Sequence, residues 1–264
     1  MDQHAVLAAF DEQIRRHPEP GAHTRVEHED GVVRSVSERD GWSGVTWSDL
    51  EPVSADAVIA AQISRFAQLS QPWEWKHYSY DRPADLPERL LALGFTAEPV
   101  EALLVAEIAD LDLEVLPLQG VQLVPVLDER GVDGLVRVHD QVFGGDHSSM
   151  GRALLQALDQ EPNAVAALVA MVDGAPIAGG RMEFHIGTEF ASLWGGGTLL
   201  AWRGRGVFRS LVAYRAAFAA ARGFRYLQVD ASPDSRPILK RLGFVELAMT
   251  TPFLHPGSSA VGAS

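Results

Sequence analysis

Two stretches of this chain end in the same way, and that repetition limits the folds open to it more than any other feature. Trp75–Phe95 reads WKHYSYDRPADLPERLLALGF, and Phe224–Phe244 reads FRYLQVDASPDSRPILKRLGF. With Gly94 set over Gly243 they agree at Asp81/Asp230, Asp85/Asp234, Leu90/Leu239, Leu93/Leu242 and Phe95/Phe244. Each is an apolar strand, an Asp, a Pro-containing turn, a short amphipathic helix and a Leu-Gly-Phe exit. Glycine suits the left-handed position just past a helix end, and the Phe after it can pack back on the last turn. The pattern predicts a diverged duplication, and 264 residues suffice for two domains of ordinary size.

Periodicity fills in the rest. The first half reads as a helix over 2–16, strands over 23–29, 32–38 and 41–48, and a helix over 54–69. A strand over 73–80, a helix over 83–93 and a strand over 102–108 follow. Asp30-Gly31 between two alternating runs is a hairpin signal. The second half reads as a strand over 121–126, helices over 128–143 and 150–160, and hairpin strands over 164–172 and 176–185. A strand over 189–199, a long helix over 206–222, a strand over 225–230, a helix over 234–242 and a strand over 244–253 complete it. Antiparallel strands followed by strand–helix–strand–helix–strand predict an α+β fold with a mixed, mostly antiparallel sheet flanked by helices, present as two diverged copies. The expected domains are 1–112 and 113–255, with a disordered tail over 256–264.

Charge narrows the partners. The formal net charge is −13, whereas a phosphate backbone needs a positive footprint, so nucleic acid is not expected. The longest apolar run, Ala164–Val172, is far below the roughly 20 residues that span a bilayer, so no membrane partner is expected either. The N-terminus carries acids and a helical period in place of a basic start and an apolar block, which speaks against a signal peptide. There is no cysteine, hence no disulfide and no thiolate ligand, and the histidines include no HExxH or similar spacing, so no metal is expected. A cytoplasmic location follows by default.

Against that acidic background one segment reverses sign. From Phe190 to Val229 there is no Asp or Glu, but Arg203, Arg205, Arg209, Arg215, Arg222 and Arg225 all fall there. Arg203-Gly204-Arg205-Gly206-Val207-Phe208 opens the long helix, where free backbone N–H groups and the helix dipole favour an anion. Gly204 and Gly206 let the backbone approach a pyrophosphate closely. Val207, Leu211, Tyr214, Phe218 and Ala221 give the helix one buried face. The matching place in the first half carries Asp49, Glu51 and Asp56 and no Gly-rich turn, so only the second half is expected to bind phosphates.

Arg203-x-x-Gly206-x-Phe208 resembles the acetyl-CoA motif of the GNAT superfamily of N-acyltransferases, which runs Arg or Gln, two residues, Gly, one residue, then Gly or Ala. Phe208 departs from the last small residue. ASPDSRPILKRLGF resembles the following GNAT helix, with Ser232 in its usual Asn place and Leu239 in its usual Tyr place. The resemblance covers about 121–253, and the first half resembles a degenerate GNAT half of a tandem protein. It implies acetyl-CoA as acyl donor, held by Arg203, Gly204, Arg205, Gly206, Val207 and Phe208 together with Ser232 and Ser235. It also implies that the backbone of Gly197, Thr198 and Leu199 pairs with the pantetheine arm and offers an N–H to the thioester oxygen. The acceptor would be a primary amine of a small molecule or peptide. Many relatives dimerise, so a homodimer is an expectation. The alternative is a non-catalytic acyl-CoA-binding or scaffold protein of the same fold.

Acyl transfer to an amine needs a base, an oxyanion donor and a proton for the leaving thiolate. Strand alternation puts Arg181, Glu183 and His185 on one face. Glu183 is the first choice of base, Glu189 the second and Asp230 the third, with His185 and Trp194 towards the acceptor. Gly195-Gly196-Gly197 inside a strand signals a bulge or the close approach of another chain. Trp202 can wall the acyl site, and Asp146 and His147 of the GGDHSSM loop can line the substrate side. With Leu239 in the Tyr place the proton donor stays open among Tyr214, Tyr226, Ser232, Ser235 and solvent.

Overall fold

The structure is a computed structural model describing residues 1–21, 23–37, 41–69, 71–115 and 117–257. Residues 258–264 of the expected tail therefore lie outside the described residues. The chain forms two compact units: 1–103 with 231–236 and 246–264, and 104–230 with 237–245. This differs from a division near residue 112. The strand β6 (Glu101–Glu107) is divided between the units, and most of the last strand, β12 (Val245–His255), is counted with the first.

The first unit begins with α1 (Gln3–Phe10), capped by the Asp2 carboxylate and continued as a π-helical turn over Asp11–Arg16. Strands β1 (Thr24–Glu29), β2 (Val32–Ser37) and β3 (Gly44–Ser48) form an antiparallel meander. Asp30 and Gly31 take positive φ at its first turn, as the hairpin signal requires. Helix α2 (Ala55–Phe66) then crosses to β4 (Trp73–Tyr78), which pairs parallel to β3 at only two positions, Gly44/Glu74 and Val45/Trp75. The short α3 (Leu86–Ala92) and β5 (Thr96–Ala97) follow. β12 pairs antiparallel with both β4 and β5. The two-residue β5 gives no periodic signal and escaped the sequence reading. Phe66 stacks on Trp73 at 4.1 Å, and Val45, Ile59, Leu86 and Leu90 close the core around them.

The second unit repeats this plan. β7 (Gln122–Pro125), β8 (Val165–Val172), β9 (Ala175–Phe184) and β10 (Phe190–Thr198) are antiparallel neighbours. Helix α6 (Val207–Ala221) crosses to β11 (Tyr226–Ala231), which pairs parallel to β10. Helices α4 (Glu129–Phe143) and α5 (Ser148–Gln160) cover one face of the sheet: Leu135, Val138 and Leu154 pack with Val165, Ala167 and Val169. Val207 and Leu211 of α6 pack with Leu168, Ala170 and Ala178 on the other face. Each fully buried Val or Leu among these stabilises the unit by about 1.5–3 kcal/mol. α7 (Arg236–Arg241) ends as α3 does. Phe95 N–H donates to Leu90 O and Phe244 N–H to Leu239 O, with Gly94 and Gly243 at φ +94° and +105° between them. The α+β class and the repeated Leu-Gly-Phe exits thus stand in the structure.

Candidate active site

In the second unit the paired strands part company. β10 and β11 pair only at Phe190–Ser192 with Tyr226–Gln228. Beyond that point β10 keeps only its β9 side, and there too the register shifts between Trp194 and Gly197, one extra residue being inserted. Gly195 sits at φ +55° in this bulge. The glycines are needed for space as well as for dihedrals. A Cβ on Gly195 would stand 2.5 Å from His139 Cε1, one on Gly196 3.1 Å from the Phe208 ring, and one on Gly197 3.0 Å from Val142. The Phe208 ring lies against Gly196.

The strand then leads through a 3-10 turn, Leu200–Trp202, into the Gly204/Gly206 turn. Both glycines take positive φ, +72° and +83°, and Gly206 is the N-cap of α6 with no side chain capping the helix. A Cβ on Gly204 would meet nothing within 4 Å, so its requirement is purely one of backbone conformation. The first-turn N–H groups of α6 are left to an external acceptor, the geometry that favours an anion.

The six arginines of the acid-free stretch divide sharply. Arg209 pairs with Asp112 at 2.6 Å, and Arg225 with Glu107 at 3.0 Å and Glu189 at 3.4 Å. Arg222 lies over Phe184 and Phe218, and Arg215 is buried inside the unit. Among the described residues only Arg203 and Arg205 flank the turn without an acid. Arg203 Nε donates to Thr198 O at 3.1 Å, tying the turn back to β10, and Arg205 lies over the Trp202 ring at 4.8 Å. Positive charge at the turn therefore comes from two side chains and one helix end.

Arg181 and Glu183 share the face of β9 that α4 covers, as alternation requires, and His185 follows just past the strand's end. Arg181 Nε is 3.5 Å from Glu183 Oε1, and its guanidinium lies over Trp194. The surrounding protein raises the Glu183 pKa by desolvation although 40% of the side chain reaches solvent, and Arg181 works in the opposite direction. His185 Nε2 bonds the buried Ser192 Oγ, which also accepts from Gln228 Nε2 at 2.6 Å. Burial lowers His185 to about 4, so it is neutral at ordinary pH and part of a fixed network. The Trp194 Nε1 and Thr198 Oγ1 atoms are buried without a hydrogen bond.

Other expected site residues fall elsewhere. Glu189 precedes β10 at its far end and pairs with Arg225. Six residues of strand at about 3.3 Å each put it roughly 20 Å from the bulge. Asp230 follows Gln228 by two residues on the same face of β11, on the far side of the split. Ser232 and Ser235 belong to the first unit, where their hydroxyls bond each other at 3.2 Å in the turn opening α7. Leu239 is buried. Tyr226 packs on Phe190, again at the far end of β10, and Tyr214 packs on Phe218. Of the buried helix face expected, Tyr214 and Phe218 are only partly buried and Ala221 is exposed, whereas Ser210, Arg215 and Ala219 are buried.

Three residues that sequence reasoning passed over are central. His139 is buried and lies 2.8 Å from Gly195 O through Nε2. A carbonyl only accepts, so Nε2 carries the proton, and burial lowers the ring to about 4, which keeps it neutral. The Val132, Leu135, His139 spacing places it on the buried face of α4, and a histidine in that row was the available signal. Ser192 and Gln228 were hidden within strands. Beside His139, His147 Nδ1 is 3.0 Å from Asp140 Oδ1, so the GGDHSSM loop does turn towards the bulge. Asp146 instead accepts Ser148 N–H in the turn that leads into α5.

The first unit differs at the corresponding split. Arg15 Nε donates to Thr46 O at 3.0 Å, just past the last β3–β4 pair, and its Nη2 reaches Asp81. A cleft of about 560 Å3 beside it is lined by Glu51, His77, Tyr80 and Arg82 among others. It has no Gly-rich helix start, and acids occupy that place. Among the described residues no three His, Asp or Glu side chains gather as a metal site, and no helix is long and apolar enough to cross a membrane.

No protein-family model matches the sequence, and no curated protein matches it. Solved structures do match. A GCN5-related N-acetyltransferase from Kribbella flavida superposes with a TM-score of 0.69 at 19% identity, covering 97% of this chain and 96% of that one. A tandem GNAT protein from the clavulanic acid biosynthesis pathway gives 0.59 at 12% identity, over 91% and 86%. A GCN5-related N-acetyltransferase from Sphaerobacter thermophilus gives 0.58 at 13% identity, over 88% and 84%. The fold is GNAT-like over the whole chain.

Proposed function

We propose that this protein transfers an acetyl group from acetyl-CoA to a primary amine of a small molecule or peptide, using its second unit. One observation carries the reading: β10 leaves β11 and bulges at Gly195–Gly196 just before it enters the two-glycine, two-arginine start of α6. A strand edge released from its β11 neighbour suits an extended pantetheine arm. The helix start, Arg203 and Arg205 suit the pyrophosphate at its other end. A fold shared with acetyltransferases is consistent with this but does not choose the acceptor.

The chemistry would run by direct attack in a ternary complex. The uncharged amine nitrogen bonds to the thioester carbon, and the carbonyl electron pair moves onto oxygen. That oxygen is met by backbone N–H of the bulge; Leu199 N–H, the donor the resemblance implied, is instead spent on Ile177 O at 2.9 Å. The pair then returns, the C–S bond breaks, and the sulfur leaves with its electrons. Glu183, directly or through water, takes the proton from the amine, with Asp230 across the split as the other candidate carboxylate. The thiolate takes its proton from solvent or gets back the one that Glu183 received, because Leu239 offers none.

That buried Leu239 favours one rival, an acyl-CoA-binding protein without turnover. Calorimetric titration with acetyl-CoA, followed by thiol release over an amine library, separates them. Binding with release on at least one amine supports the enzyme, and binding with none supports the rival. Absence of binding overturns both.

A further inference from the structure

Arg215 sits two turns into α6 and is 2% exposed. Its Nε donates to Leu211 O at 3.1 Å and its Nη1 to Arg181 O at 3.0 Å. Among the described residues no carboxylate pairs with it. Burial alone moves the guanidinium down to about 10, so it stays charged at neutral pH. A cation stripped of water and given no anion is costly, and an apolar side chain of similar length would fill the same space at less cost.

The surrounding backbone is shaped to admit it. A Cβ on Gly180 would stand 2.8 Å from Nη1, and one on Gly196 would stand 3.3 Å from Nη2. Gly196 is a bulge residue. On the opposite face His139 holds the neighbouring Gly195 carbonyl. The bulge is thus clamped between a neutral imidazole that fixes one peptide and a buried cation with no counter-ion.

We propose that Arg215 is a positioning residue for acyl transfer, its buried charge polarising the Gly195–Gly197 backbone so that the bulge favours negative charge on the thioester oxygen. This rests on the reading of the bulge as the thioester site. The carbonyl oxygen is neutral in bound acetyl-CoA and becomes negative only as the C–N bond forms. A fixed charge in a water-poor region therefore acts on the transition state more than on binding.

The test compares wild type with R215M and R215K by thermal unfolding, acetyl-CoA calorimetry, steady-state kinetics on an accepted amine, and infrared absorption of carbonyl-13C-labelled acetyl-CoA. R215M is expected to unfold at the same or a higher temperature. Its acetyl-CoA affinity should stay within about twofold, while kcat falls by about 10- to 100-fold with KM little changed. The labelled carbonyl, shifted to lower frequency in the wild-type complex, should return towards its free value, and R215K should recover part of both effects. A purely structural residue would lower stability and leave the carbonyl band unmoved. The proposal is overturned if R215M keeps wild-type kcat and carbonyl shift, or if R215K is no better than R215M. Should R215M not fold, R215K and the wild-type carbonyl band still decide. A wild-type complex whose carbonyl absorbs at the free value, or no acetyl-CoA binding at all, overturns the parent reading along with this one.

Discussion

The Arg15 guanidinium lies 2.8 and 2.9 Å from the two oxygens of Asp81, and both side chains are 2% exposed. Asp81 is the first-half counterpart of Asp230, so the two copies put the same residue to different uses. Arg15 also contacts Thr46 O, Asp11 and the Tyr80 hydroxyl, with its plane over the Tyr78 ring at 4.1 Å. The wider π-helical turn over Asp11–Arg16 carries it inward. It ties β3 to the end of β4 where their pairing has stopped.

One consequence is stoichiometry. With the first split filled by Arg15 and its helix start lined by Asp49, Glu51 and Asp56, only the second unit should take acetyl-CoA. Calorimetry is expected to give one acetyl-CoA per chain, and two would show that the first unit binds as well. Arg15→Ala should cost about 3–5 kcal/mol of first-unit stability by leaving Asp81 buried and unpaired. Denaturant unfolding of a variant with Trp194 and Trp202 changed to Phe, followed by the remaining tryptophan fluorescence, reads that loss in the first unit.

A second prediction concerns the helix start. Arg205→Glu keeps the backbone turn, since the Arg205 side chain lies over the Trp202 ring and holds no backbone group among the described residues, yet it reverses charge beside the expected pyrophosphate. It should weaken acetyl-CoA binding by at least about tenfold, or about 1.4 kcal/mol. Arg203→Glu should do the same and also lose the bond to Thr198 O, so its effect should exceed that of Arg205→Glu. Arg209→Glu, which removes a partner of Asp112, should leave affinity nearly unchanged. Equal effects from all three would mean a diffuse field and not a site.

How much of this could be read in the sequence follows from what each feature depends on. The elements and the paired Leu-Gly-Phe exits rest on local periodicity and on glycine dihedrals, which the sequence carries. The Gly204/Gly206 turn was legible for the same reason. The partition of the six arginines was not, because it depends on acids at Glu107, Asp112 and Glu189 that approach only in the fold. Glu189 looked equivalent to Glu183 along the chain, but it lies three residues further from the bulge than Ser192, the β10 residue opposite Glu183. His139 and Arg215 were the polar members of otherwise apolar helical rows, a signal present in the sequence and passed over.

Acid should destabilise the protein through its buried histidines. Burial is the largest cause lowering His77, His139 and His185 from the usual 6.5 to about 4. Between those values the unfolded chain binds protons that the folded chain refuses, so stability rises with pH across this window. It is fully present above about 6.5 and lost as pH falls towards 4, by an amount of the order of 1–3 kcal/mol per site. Urea midpoints at pH 7.5 and 5 should differ accordingly. His139→Gln, which keeps a donor for Gly195 O but does not titrate, should reduce the difference for the second unit.

The choice of base can be tested by pairing two carboxylates. Glu183 shares a face with Arg181 and the network of His185, Ser192 and Gln228, and its pKa is raised by desolvation. Glu189 is about 20 Å from the bulge by strand geometry and is held by Arg225. Glu183→Gln should lower kcat by about 10²–10⁴-fold with acetyl-CoA affinity unchanged. A base must be unprotonated to act, so wild-type kcat should climb with pH through the raised Glu183 pKa, and the Gln variant should lose that limb. Glu189→Gln should retain both rate and profile. If Glu183→Gln keeps the limb, the proton goes elsewhere, and the same comparison on Asp230→Asn shows whether the carboxylate across the split receives it.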